Sequence, residues 1–221
     1  MIRITNESCY AKAVGAFFMI PARTAVRSVL PLLLPLALFS CVGRVAGQVA
    51  SIDTADSRLL IHVSKTGVFS GFADNHEVEA RIAKGTLDAK SGQLRLFVDS
   101  RQMQVLDPRL PPDKRRQVQE RMLGPEVLDS AHFPEIIFES THVEHGREGV
   151  VVVNGRLSLH GVTRPISLVA HLKHGRYTGT LALKQRDFGI IPVSIAGGTV
   201  KVKDELTIDF DIVTSPGETE H

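Results

Sequence analysis

The stretch Val151-Val152-Val153-Asn154-Gly155-Arg156-Leu157-Ser158-Leu159-His160-Gly161-Val162-Thr163-Arg164-Pro165-Ile166-Ser167-Leu168-Val169-Ala170-His171-Leu172 decides the fold class. Val151, Val153, Leu157 and Leu159 share one parity, and Asn154, Arg156, Ser158 and His160 hold the other. Ile166, Leu168, Ala170 and Leu172 repeat the pattern. Apolar residues at every second position describe a strand with one face buried. Gly161-Val162-Thr163-Arg164-Pro165 reads as a hairpin connection, and Asn154-Gly155 as a bulge. Two such strands joined by a short turn run antiparallel, because a parallel pair needs a crossover of a dozen or more residues.

The same alternation extends outward. Leu59, Ile61 and Val63 share a face; so do Leu94, Leu96 and Val98, then Ile136 and Phe138, and Ile208, Phe210 and Ile212. Glu77–Ile82 and Tyr177–Leu183 are further candidate strands, which brings the count to about eight. Lys90-Ser91-Gly92, His145-Gly146-Arg147 and His174-Gly175-Arg176 supply turns between them. The exception is Pro111–Gly124, which reads as a helix. Two prolines open it, Asp113 sits in its first turn, Gly124 ends it, and Val118, Met122 and Leu123 form a narrow apolar stripe. Such a helix is expected across an edge or an open end of the sheet. Eight antiparallel strands have two common solutions, a sandwich or a closed up-and-down barrel, and alternation alone does not choose between them.

The first 47 residues read differently. Residues 29–42, VLPLLLPLALFSCV, are apolar and uncharged, with Arg23 and Arg27 before them and Val45-Ala46-Gly47 after. This order describes a secretory signal peptide cleaved after Gly47, leaving Gln48 first. Met19 would give a leader of ordinary length, so it is an alternative start. The run is too short for a membrane span and holds Pro31 and Pro35, so no permanent span is expected. Leu38-Phe39-Ser40-Cys41 offers a second route, lipoprotein anchoring through Cys41. The expected location is the periplasm or the outside of the cell.

Removing the leader changes what composition implies. The full chain of 221 residues has a formal charge of +2 and two cysteines. Five of its 26 bases, one of its 24 acids, Cys9 and Cys41 all lie within residues 1–47. The remaining 174 residues, 48–221, are one domain with net charge −2 and no cysteine. Disulfides, thiol nucleophiles and thiolate metal sites are excluded there. No basic excess supports binding of nucleic acid.

Signatures of chemistry are absent. No Gly-x-Ser-x-Gly elbow occurs, and Gly197-Gly198 does not open a helix as a phosphate loop would. Asp187 with Asp204, or Glu135 with Glu139, can be put forward as acid–base pairs, but their spacing reads equally as solvated charge. His142 and His145, like His171 and His174, lie three apart, which on a strand sends them to opposite faces. His76, His132 and His160 stand alone. No enzyme activity, cofactor or metal site is expected.

Four segments resemble the YceI-like family. Ile52-Asp53-Thr54-Ala55-Asp56-Ser57-Arg58-Leu59 resembles its Asp-x-x-His-Ser opening, with Asp56 at the histidine position. Gly67–Val78 resembles its second-strand segment. Phe133-Pro134-Glu135-Ile136-Ile137-Phe138-Glu139-Ser140 is similar to its Phe/Tyr-Pro-x-Ile-x-Phe-x-Ser motif. Asn154–Pro165 is similar to its Gly-x-Leu-Thr-x-x-Gly-Val-Thr-x-Pro motif. The similarity runs from about Val49 to Thr214. It implies an all-β, lipocalin-like, eight-stranded antiparallel barrel with one short helix. It also implies an exported, non-catalytic protein that holds a polyisoprenoid or other long-chain, fatty-acyl lipid in the barrel. The expected cavity wall is Phe72, Leu96 and Val98, then Phe138, Leu157 and Leu159, then Leu168, Leu181 and Phe210. Arg101, Lys184 and Arg186 are candidates for head-group contacts. Two rivals stand beside this reading: a stress or redox accessory protein using His76 and other histidines for haem or metal, and a structural interaction module presenting Arg115, Arg116 and Arg121. A dimer is left open.

Overall fold

A computed structural model describes residues 49–66, 75–88, 90–195 and 200–215. The elements in chain order are β1 (Val49–Thr66), β2 (His76–Ala80), β3 (Ile82–Asp88), β4 (Gln93–Asp99), β5 (Gln104–Val105), α1 (Pro112–Leu123), β6 (Glu135–His145), β7 (Val150–Leu159), β8 (Val162–Lys173), β9 (Arg176–Lys184), β10 (Ser194–Ile195) and β11 (Val200–Ser215). The wall runs β11-β9-β8-β7-β6-β4-β3-β1, and β1 pairs back onto β11 from Ser51↔Ser215 to Thr66↔Lys201. That pairing closes the sheet. The protein is therefore an eight-stranded antiparallel barrel and not a sandwich, and closure removes the exposed strand edges that a sandwich would keep.

One wall strand is broken. Leu59–Val63 of β1 pair with β2, and Val49–Ser51 pair with β3. β2 and β3 are thus two halves of one strand interrupted at Arg81, and it runs on to Asp88, beyond the Ile82 expected from alternation. The two-residue strands β5 and β10 extend the wall at β2 and β11.

Local chemistry explains the joints. His160-Gly161 and His174-Gly175 have both residues at positive φ, the backbone of a two-residue hairpin turn matched to strand twist. The connection expected over Gly161–Pro165 is therefore only His160-Gly161, and β8 already begins at Val162. Pro165 is tolerated inside β8 because the ladder from β8 to β9 holds only His171↔Thr178, Leu172↔Tyr177 and Lys173↔Arg176. Beside the unladdered part of β8, a 3-10 turn (Gln185–Phe188) fills in. Asp187 O accepts from Arg164 Nε at 2.8 Å, and Phe188 is 1% exposed. The bulge expected at Asn154-Gly155 lies across the ladder instead. Ser140 faces Gly155 and His142 faces Asn154, so Thr141 of β6 is the extra residue.

α1 starts at Pro112, and Gly124 N–H donates to Glu120 O at 2.9 Å and Arg121 O at 3.2 Å to end it. It docks on β5 through Gln119, whose Oε1 accepts from Val105 N–H and whose Nε2 donates to Met103 O, both at 2.7 Å. Its apolar stripe, Val118, Met122 and Leu123, packs on the core.

Candidate functional site

Because side chains alternate along every strand, closure turns one set inward around a common space. That space is a cavity of about 1120 Å³. It is large beside ordinary small-molecule sites of about 300–1,000 Å³. Leu96 and Val98 line it from β4, Phe138 from β6, Leu157 and Leu159 from β7, Leu168 from β8, Leu181 from β9 and Phe210 from β11. Phe72 lies outside the described residues. Val98, Phe138 and Leu157 are at most 8% exposed, so the wall is also core.

Further wall residues come from rows already visible as alternating: Leu59, Ile61 and Val63 of β1, and Ile208 and Ile212 of β11. Others lie outside the period-2 rows. Val118 and Met122 of α1, with Val127 and Leu128 after it, line the same space, because docking on β5 carries the helix over the barrel end formed by β2. Tyr177 faces the far end, and burial pushes its hydroxyl above the usual tyrosine pKa.

Register sorts the polar lining. Lys65 pairs with Val202 and Lys184 with Glu205, so both lie where β11 begins; His76, opposite Val63, belongs to the same end. Lys114, Gln117 and Arg121 line it from the helix. Of the three head-group candidates, Lys184 lines the cavity. Arg101 does not: its guanidinium is spent on Asp99, at 2.8 and 2.7 Å, and holds that carboxyl below the usual carboxylate range. Arg186 is likewise not part of the lining.

His76 is enclosed at this end, with its side chain 14% exposed beside Asp107 at 5%. A carboxylate only accepts, so His76 Nδ1–H donates to Asp107 Oδ2, while Asp107 Oδ1 accepts from Glu77 N–H at 2.8 Å. Among the described residues, no group of three His, Cys, Asp or Glu side chains stands ready to hold a metal ion. The proposed carboxylate pairs do other work. Glu139 lies between Arg95 and Arg156, and Asp204 Oδ1 accepts from Arg186 N–H at 3.0 Å. No described helix is long and apolar enough to cross a membrane.

The sequence motifs build walls and joints. Asp53 Oδ1 accepts from Ala55 N–H and Asp56 N–H at 3.0 Å each, turning the β1 bulge, and Ser57 Oγ accepts from Val213 N–H at 2.9 Å across the closing seam. Ser140 Oγ accepts from Leu94 N–H at 2.7 Å and donates to Gly92 O at 3.0 Å, tying β6 to β4. Phe133 meets His160 in a tilted ring contact, with ring centres 4.7 Å apart and planes at 56°.

Comparison with known proteins places this barrel. A UPF0312 protein of Shewanella sp. (strain W3-18-1) is 36% identical over 77 residues, which are 30% of this chain and 40% of that protein. One from Shewanella sp. (strain ANA-3) is 30% identical over 94 residues, 38% of this chain and 49% of that one. The chain thus spans less than half the length of these curated relatives. Among solved structures, Burkholderia cenocepacia BcnA is similar with a TM-score of 0.55 at 16% identity, covering 74% of this chain and 99% of that one, a likeness of fold. The family profile described as the YceI-like domain matches residues 48–214, and the chain belongs to that family.

Proposed function

We infer that this barrel is an exported, non-catalytic carrier that holds a polyisoprenoid or other long-chain lipid in its interior. The observation that supports this reading is the cavity of about 1120 Å³ walled by aliphatic side chains from the barrel strands. Burying an alkyl chain there returns about 0.8 kcal/mol per methylene, so roughly fifteen methylenes contribute about 12 kcal/mol gross. Association costs of several kcal/mol leave a Kd of about micromolar order. The proposed wall contacts are Leu96, Val98, Phe138, Leu157, Leu159, Leu168, Leu181 and Phe210, which line the space, and Phe72. The leader read over residues 1–47 would deliver the protein to the periplasm or outside the cell, with Gln48 as its new first residue.

Organic extraction and native mass spectrometry of protein purified from its own export compartment test the reading. A co-purified lipid in near-stoichiometric amount is expected. Protein that emerges empty and takes up no long-chain lipid refutes it. N-terminal sequencing of the same preparation checks the cleavage after Gly47.

A further inference from the structure

Two imidazoles, His76 and His145, line the aliphatic chamber, and a carboxylate holds the first from behind. Both oxygens of Asp107 are committed, Oδ1 to Glu77 N–H and Oδ2 to His76 Nδ1–H. The ring is therefore fixed in tautomer and orientation. Its other nitrogen, Nε2, has no hydrogen-bond partner among the described residues, although the residue lines the cavity. Nε2 is thus free to accept from whatever occupies the space. Around it the lining carries Lys65, Lys114, Arg121 and Lys184 beside Glu120 and Glu126, with Arg121 paired to Glu126 at 3.3 Å.

We propose that the lipid carries a carboxylic acid head and that His76 anchors it through Nε2. The proposal rests on the reading of the cavity as a lipid site and names the chemistry of its polar end. A carboxylic acid suits a neutral imidazole whose Nδ1–H is already spent. Its O–H donates to Nε2, and if the proton passes to the ring the resulting carboxylate accepts from Nε2–H, with the lysines as its surroundings. An alcohol also donates to Nε2 but does not give up its proton to become an anion beside the lysines, and an ester has no O–H to donate. The tail then runs along the wall toward Tyr177 at the far end.

Displacement of the neutral probe N-phenyl-1-naphthylamine from the purified protein by palmitic acid, hexadecanol and methyl palmitate compares one chain under three heads. The acid is expected to bind about tenfold to a hundredfold more tightly than the ester, the size of one charge-assisted hydrogen bond. His76→Gln and Asp107→Asn are expected to close most of that gap, and the circular-dichroism spectrum and thermal melt of each variant report that the barrel is intact. Equal binding of all three by the wild-type protein overturns the head-group assignment and leaves the lipid site standing; that arm needs no variant. Hexadecanol matching the acid overturns the carboxylic acid class. An acid preference that survives both variants overturns the role of His76. Failure of all three to displace the probe overturns the lipid site, and the inference with it.

Discussion

Gly155→Ala is the sharpest test of how the wall is packed. A Cβ at this position would stand 2.5 Å from Phe138 Cε2, 2.6 Å from Phe138 Cζ and 2.6 Å from Glu139 O. Ordinary carbon contacts lie near 3.5–4.0 Å, so about 1 Å of movement is demanded. The two obstacles answer differently. The Phe138 ring borders the cavity and can swing into it, at about 0.5–1.5 kcal/mol for an off-rotamer side chain. The carbonyl belongs to the β6–β7 ladder and can yield only by loosening a hydrogen bond, at about 1 kcal/mol. Stiffening the unfolded chain works the other way by less than about 1 kcal/mol. The net expectation is a loss of about 1–2 kcal/mol, or a fall in Tm of about 2–8 °C for a domain of this size. Thermal melts of the wild type, Gly155→Ala, Phe138→Leu and the double variant form a cycle. The alanine should cost less in the Phe138→Leu background, with a coupling of about 1 kcal/mol. A Tm within about 1 °C of wild type for Gly155→Ala, or costs that simply add, would refute the packing argument.

Other consequences follow from the joints. Ser140→Ala removes a donor and an acceptor between β6 and β4 and leaves Leu94 N–H unpaired, so a loss of about 1–3 kcal/mol is expected in denaturant titrations. Gln119→Leu cuts two of the bonds that hold α1 to the β5 segment, leaving the one from Arg115 to Leu106 O. Amide exchange in α1 should then quicken well before the barrel strands respond, and equal acceleration everywhere would argue against a separable helix. The carboxyls of Asp99, beside Arg101, and Asp209, beside Thr180 and His62, are held below their ordinary value of 3.8. A depressed carboxyl contributes stability that is present above that value and lost as pH falls through its folded value. Melts below about pH 4 should therefore drop more steeply for wild type than for Asp99→Asn or Asp209→Asn. Matching slopes would show that these contacts do not persist in solution.

Alternation along β4, β7, β8 and β11 made the wall legible, since period-2 rows translate directly into inward and outward faces. Closure was not legible, because a sandwich and a barrel share that pattern. What separates them is the β1–β11 ladder, between segments about 150 residues apart. The break at Arg81, the short strands β5 and β10, and the seat of α1 depend on tertiary pairing and leave no local period. The site followed the same division. The aliphatic wall could be named from parity, whereas the pairing of His76 with Asp107, 31 residues apart, could not.

The bulge at Thr141 means that β6 is written in two phases. Ile136 and Phe138 face the cavity before it, and Val143 and His145 after it. A straightened strand that kept Thr141 would present His142 and Glu144 to the aliphatic interior in place of Val143. Thr141 is thus a spacer between two reading frames. Deleting it leaves every later side chain facing as before, because Ser140 and His142 would then stand directly opposite Gly155 and Asn154. Deleting any single residue within the regular part of β7, by contrast, would exchange inside for outside along the rest of that strand.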